Sequence, residues 1–172
     1  MAFELECDGY GDLPAKVMFV GISAGRRGAL ITKVPLTHDA SGRIFQRCLK
    51  ELGFSSSDEF SDKPALKGCY ITNLVKGRCL TKDGLNRLPT VKEVVFWWRP
   101  FLIECQRVQP EIVVALGGFV WRWLRQLRQS GFNVVFVKHP RWYQAHGALK
   151  VQSPAFNQMV TDYYNAISVN RS

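Results

Sequence analysis

No stretch of the sequence approaches the roughly 20 apolar residues that a membrane helix needs. The start, Met1-Ala2-Phe3-Glu4-Leu5-Glu6, lacks the basic and apolar regions of a signal peptide. A soluble intracellular protein, cytoplasmic or nuclear, is the expectation, with no membrane partner. Cysteines are few and odd in number: Cys7, Cys48, Cys69, Cys79 and Cys105 lie far apart, without a CxxC pair. That spacing argues against a disulfide framework and against a standard zinc site. Cys48 and Cys69 stand in apolar settings and read as core. Internal repeats, low-complexity tracts and a second domain boundary are also missing. The 172 residues fit one domain spanning 1–172.

Acidic residues are scarce, 14 against 23 Lys plus Arg, for a formal charge of +9. An excess of this size points to a polyanionic partner, nucleic acid first. The alternative is a basic surface with no such partner. Aromatics interleave with cations in Trp121-Arg122-Trp123 and Arg141-Trp142-Tyr143, as on base-stacking surfaces.

The chain is organised around Val17-Met18-Phe19-Val20-Gly21, a short apolar run that ends at glycine and reads as a buried parallel strand. Residues before it, with Gly9, Gly11 and Pro14, read as an irregular lead-in. Arg26 to His38 reads as a long loop. Asp39-Ala40-Ser41 then offers N-caps to a helix carrying Ile44, Phe45, Cys48, Leu49 and Leu52, closed by Gly53. Cys69 to Val75 is a second strand with Asn73 and Lys76 at its end. Thr90 and Glu93 fit a capping box at the head of a long helix that Pro100 should kink. Ile112 to Leu116 is a third strand. Gly117-Gly118 opens a helix that ends at Gly131, and Asn133 to Val137 is a fourth strand. The last helix covers Pro154 to Ile167. This alternation predicts an α/β fold: a three-layer α/β/α sandwich on a mostly parallel four-stranded sheet.

Polar groups gather where those strands end: Ser23, Asn73 and His139, with Asp39 at the end of the loop leaving the first strand. In a parallel sheet these ends share one rim, where ligands bind. Each residue has a structural reading too. Asp39 serves as a helix cap, Asn73 satisfies a turn, and His139 before Pro140 is architectural. His38 and His146 read as surface residues.

In order, these segments resemble the uracil-DNA glycosylase superfamily, particularly its families four and five. Val17 to Gly25 is similar to the family's first motif, a strand followed by Gly-X-Ala-Pro-Gly. Thr37-His38-Asp39-Ala40-Ser41-Gly42 resembles the Thr-Gly-Asp-Ala-Ser-Gly of family five. Tyr70 to Lys76 resembles the strand with the base-reading Asn, and His139-Pro140 resembles the second motif, His-Pro-Ser. The resemblance implies a DNA glycosylase that flips a uracil or related damaged base out of DNA and cuts its N-glycosidic bond in base excision repair. It implies Asp39 and His139 as catalytic residues. Asn73, Leu36, Gly21, Ile22 and Ser23 would recognise the base. Arg26, Arg27, Lys76, Arg78, Arg141, Trp142 and Tyr143 would contact DNA, with Trp142 and Tyr143 as wedge candidates. A second reading keeps Trp142 in the core.

The chain departs from the family pattern in four respects. Ile22 replaces an acidic residue of family four. Leu36 replaces the aromatic that stacks on the base. Arg141 replaces the Ser after His-Pro. Of the four cysteines that hold an iron–sulfur cluster in families four and five, the N-terminal pair is missing, the later positions fall at Gly77 and Trp98, and Cys79 and Cys105 are off register, so no cofactor and no metal are expected. The protein is expected to act as a monomer. The alternative from another class is a non-catalytic nucleic-acid-binding protein that retains the fold.

Overall fold

Val17–Ala24 (β2) lies at the centre of the sheet in a computed structural model that describes residues 3–169. Met1, Ala2 and residues 170–172, at the edges of the expected 1–172 domain, lie outside the described residues. On one side β2 pairs in parallel with β3 (Cys69–Arg78), and on the other with β4 (Ile112–Leu116), which pairs with β5 (Val134–Val137). Val17 to Val20 are completely buried, as a strand with a partner on each edge and helices on both faces must be.

The sheet has five strands, not the expected four, in the order β1-β3-β2-β4-β5. The addition is β1, Tyr10–Gly11, antiparallel to Tyr70 and Ile71. Two residues inside a glycine-rich lead-in leave no periodicity to read. Two other boundaries move outward. The first strand does not break at Gly21 but runs to Ala24, with a register shift against β3 after Ser23. The second runs to Arg78, so Asn73 lies within it and not at its end. Neighbouring strands supply ladder partners that carry glycine through a strand against its own propensity.

Ala40–Glu51 (α2), Pro140–Ala145 (α5) and Pro154–Ser168 (α6) cover one face; Val91–Val108 (α3) and Gly118–Leu124 (α4) cover the other. This is the expected three-layer sandwich. Helix α2 buries Ile44, Phe45, Cys48 and Leu49 against Phe19, whose ring meets Phe45 edge-on at 5.4 Å. The Thr90–Glu93 capping box forms at the head of α3. Arg87 grips the same carboxylate at 2.6 and 2.8 Å and holds the Glu93 pKa down at about 2. Pro100 lies inside a continuous α3. The segment expected to be one helix up to Gly131 is α4 followed by a 3₁₀ turn, Arg125–Ser130. The expected loop after the first strand contains a single helical turn, Ala29–Thr32 (α1).

Candidate functional site

The strand order reverses between β2 and β4. The chain leaves β2 toward β3 and leaves β4 toward β5, on opposite sides. Such a switch point opens a crevice at the carboxyl ends of the strands, the usual ligand position in open α/β sheets. The loops after β2 and β4, the far half of β3 and the residue after β5 all reach this rim.

Parallel register sets Gly21 opposite Asn73. A Cβ on Gly21 would lie 2.6 Å from Asn73 Oδ1 and 3.7 Å from Leu36 Cδ2, so glycine here keeps a small space between the carboxamide and the leucine. Asn73 is 2% exposed, and its side chain makes no hydrogen bond among the described residues. Leu36 takes φ 54, a left-handed conformation unusual for a bulky residue, and its carbonyl accepts from Gln46 Nε2 at 2.8 Å. A strained residue at a ligand rim is a common sign of function.

Asp39 caps α2, with Oδ1 accepting from the Gly42 N–H at 2.7 Å. Its other oxygen, Oδ2, lies against the loop after β2. A Cβ on Gly28 would come within 2.8 Å of it and one on Gly25 within 3.0 Å. The capping and rim readings of Asp39 are therefore compatible: one oxygen does each. Burial pushes the carboxyl pKa up, against the opposing pull of the Gly42 N–H. Thr37 braces the turn. It is buried, its hydroxyl bonds the Val34 carbonyl at 2.8 Å, and its carbonyl accepts from the Asp39 N–H at 2.9 Å.

His139 is the N-cap of α5, and Pro140 fills the first helical position, where a missing N–H costs nothing. The segment that follows β5 is thus a short helix. His139 Nδ1 accepts from the Arg141 N–H at 3.1 Å. In the neutral ring the proton then resides on Nε2, which becomes a donor. Burial first, and the Arg141 charge second, lower the His139 pKa to about 4, so the ring is neutral at pH 7. The Ser41 hydroxyl donates to Gln144 Oε1 at 2.9 Å and ties the start of α2 to α5.

Other expected residues fall differently. Ile22 and Ser23 are half-buried; Ile22 packs toward the α3–α4 core and Ser23 lies beside Cys79. Arg27 and Arg141 are exposed, and Arg26 is half-buried. Arg78 is exposed but pairs with Glu6 at 3.0 Å. Two assignments to DNA contact are corrected. Lys76 is 3% exposed, and its ammonium is consumed by Glu104, Thr72 and the Asn73 carbonyl on the face of β3 turned to α3. Tyr143 is fully buried with its hydroxyl on Asp162, so it is an anchor and no wedge. Trp142 is exposed, which removes its core reading.

Sequence reasoning missed Asn86. Its Oδ1 accepts from the Arg26 N–H at 2.9 Å, and its Nδ2 lies 3.8 Å from where a Gly25 Cβ would stand, the same point that Asp39 Oδ2 approaches to 3.0 Å. Nothing local marks it, because its partner is 60 residues away.

The four-cysteine iron–sulfur cluster that the resemblance implies does not fit this donor set. All five cysteines are buried thiols, and burial pushes Cys7 to about 11 and Cys69 and Cys105 to about 12. Among the described residues no three His, Cys, Asp or Glu side chains are grouped to hold a metal. Near Gly77 and Trp98 the N-terminal segment is pinned by other means. The Glu6 and Cys7 N–H groups donate to the Lys76 carbonyl, the Glu6 carboxylate pairs with Lys33 and Arg78, and Phe3 meets Phe96 edge-on at 4.9 Å.

A family model described as "Uracil DNA glycosylase superfamily" matches residues 9–165. The chain is 35% identical over 144 residues to a "Type-5 uracil-DNA glycosylase" of Pyrobaculum aerophilum, covering 80% of this chain and 59% of the relative. It is 37% identical over 158 residues to a "Type-5 uracil-DNA glycosylase" of Thermus thermophilus, covering 91% of this chain and 67% of the relative. The chain spans about three fifths to two thirds of the length of these curated relatives.

Proposed function

The chain belongs to the uracil-DNA glycosylase superfamily, and from that premise we propose that it is a monofunctional DNA glycosylase. In this reading it extrudes a uracil or related damaged base from DNA and hydrolyses the N-glycosidic bond. The observation that carries the proposal is the chemistry gathered at one sheet rim. It combines a carboxylate with one oxygen spare, an open carboxamide and a neutral imidazole with a donor at Nε2.

Bond cleavage leaves positive charge on the sugar and negative charge on the departing base. Asp39 Oδ2 faces the first need: it stabilises the cationic sugar and accepts a proton from the attacking water. Its raised pKa makes it the stronger base. His139 faces the second. A neutral Nε2–H donates to the anion developing at the base O2 without itself needing to lose a charge, and one such donor is worth about 2.7–4 kcal/mol in comparable oxyanion sites. Asn73 offers a donor and an acceptor for the N3–H and O4 edge of uracil, and the space over Gly21 lets the base approach. Ile22 carries no proton, so Asp39 has no second carboxylate beside it. Arg26, Arg27 and Arg141 meet phosphates. The protein works as a monomer and as one domain. The relatives' organisms lend no support to a nuclear location.

A panel of labelled oligonucleotides, each with one damaged base, incubated with the protein and then with alkali, tests this reading. Strand scission at uracil is the expected outcome. Leu36 supports one other reading, a non-catalytic DNA binder, because an aliphatic side chain stands where the family places a stacking ring. Tight binding with no scission on any damaged base would favour it.

A further inference from the structure

Asp39 stands at the end of a turn with two left-handed residues, Leu36 at φ 54 and His38 at φ 73. The Asp39 N–H donates to the Thr37 carbonyl at 2.9 Å, so the chain closes a γ-turn around His38. A γ-turn with positive φ at its centre is the rare, strained form, and only glycine takes such a φ without cost. The family-five stretch that this segment resembles has glycine at the position; here the chain carries an imidazole. Gly28 and Gly42 both press on the Thr37 backbone, where a Cβ on either would come within 2.8 Å. The turn is thus closely seated, and a shift at His38 carries Asp39 with it. Between α2 and β3, residues 59–62 lie along α2 as a strap. Arg47 pairs with Glu59, Arg43 lies over the Phe60 ring at 4.9 Å, and His38 Nδ1 lies 3.2 Å from Asp62 Oδ1. The Arg47 guanidinium also holds the Ala148 and Leu149 carbonyls, so the strap is anchored to the fold at one end and reaches the turn at the other.

We propose that His38 is a positioning residue for Asp39: clamped by Asp62, it keeps the strained turn closed and holds the carboxylate against the loop after β2. This rests on the glycosylase reading and deepens it by naming what fixes the carboxylate that the reading makes catalytic. The charged groups around the imidazole are Asp62 on the strap, Asp39 beside it in the chain and Arg43 on α2. A proton on the imidazole turns the hydrogen bond to Asp62 into an ion pair, so the clamp tightens as pH falls. The same proton puts a positive charge next to Asp39 and pulls its carboxyl pKa down, against the larger upward push of burial. Position and charge therefore act together: a protonated His38 holds the carboxylate in place and favours its ionised form. The His38 and Asp62 side chains are 41% and 56% exposed, so their pair adds little to global stability. Its effect is local, on a turn that would otherwise relax its strain.

The test follows single-turnover cleavage of a uracil-containing oligonucleotide against DNA concentration, with a melting curve for each variant. Hydrogen exchange of the Asp39 and Gly42 amides is followed by NMR in the DNA-free protein. His38→Gly takes the turn without strain but loses the clamp. It should melt near the parent, lower the maximal rate about 3-fold and speed both amides by a similar factor, at an unchanged half-saturating DNA concentration. Asp62→Asn should do the same, and adding it to His38→Gly should cost nothing further. His38→Asn, which tolerates a positive φ and can donate to Asp62, should restore most of the rate. The parent's advantage over Asp62→Asn should widen from about pH 8 to about pH 6; in a His38→Asn background the same change should show no widening. Parent-like rate and exchange in His38→Gly would overturn the proposal. So would a loss confined to the half-saturating concentration, which would make His38 a DNA contact. Amides that respond as expected in a protein whose parent never cleaves uracil would remove the glycosylase reading and leave the clamp standing. Unchanged amides together with an inactive parent would remove both.

Discussion

Strand β3 carries polar side chains on both of its faces, and the two faces are finished differently. Toward α3, every polar group is spent within the protein. The Lys76 ammonium meets Glu104, Thr72 and the Asn73 carbonyl. Thr72 and Tyr70 both donate to Glu104, and Arg107 closes the chain on the Tyr70 hydroxyl at 3.2 Å. On the other face Asn73 is equally hidden from solvent, 2% exposed against 3% for Lys76, yet its carboxamide has no partner among the described residues. Burial therefore does not distinguish these two polar residues. Satisfaction does: a saturated network holds the strand on one face, while on the other the amide facing glycine stays open.

The largest expected effect lies on the open side. His139→Ala should slow single-turnover excision by about 10²–10³-fold, with a smaller change in DNA affinity, because the donor acts on the departing base. The saturated side should respond in the opposite way. Lys76→Met leaves Glu104 buried without its cation and should cost on the order of 3–5 kcal/mol in urea unfolding. The salt dependence of DNA binding should stay as in the parent. A Lys76→Met protein of parent stability whose salt slope had dropped would return Lys76 to the DNA surface and dissolve the contrast between the faces.

The patterns readable in the sequence were those made by neighbours in the chain. The apolar runs of β2 and β4, the Asp39 cap of α2 and the Thr90–Glu93 box each need only a few adjacent residues. So did the rim itself, since strands followed by polar residues imply shared ends in a parallel sheet. What escaped depends on distant partners. Lys76 looked like a surface cation because Glu104 is 28 residues away, and Asn86 looked inert because the Arg26 N–H is 60 away. Trp142 and Tyr143 are adjacent aromatics, and only the helix that His139-Pro140 begins decides which turns inward. His146, read as a surface residue, is exposed, with its ring stacked on Trp142.

Titration gives a smaller effect with a defined sign. The folded protein holds His139 neutral down to about pH 4, whereas the unfolded chain takes up a proton near 6.5. Stability from this group is therefore complete above 6.5 and is lost as pH falls through 4, on the order of 3 kcal/mol. Urea midpoints of the parent and of His139→Ala, taken between pH 7 and 4, should converge by that amount as the pH falls. A parallel decline would mean that His139 is already charged in the folded rim. Smaller again is the contribution of each surface cation. Arg26→Gln or Arg141→Gln should lower the log–log salt slope of DNA binding by roughly 0.7–0.9 each.

The most direct measurement is single-turnover cleavage of a uracil-containing oligonucleotide by Asp39→Asn, with a melting curve alongside. Asn keeps the cap on Gly42 and the shape of the rim but removes the charge on Oδ2. A protein that melts with the parent and cleaves at least 100-fold more slowly is the expected result. Parent-rate cleavage by a well-folded Asp39→Asn would contradict the central claim that the open rim, through this carboxylate, performs the chemistry.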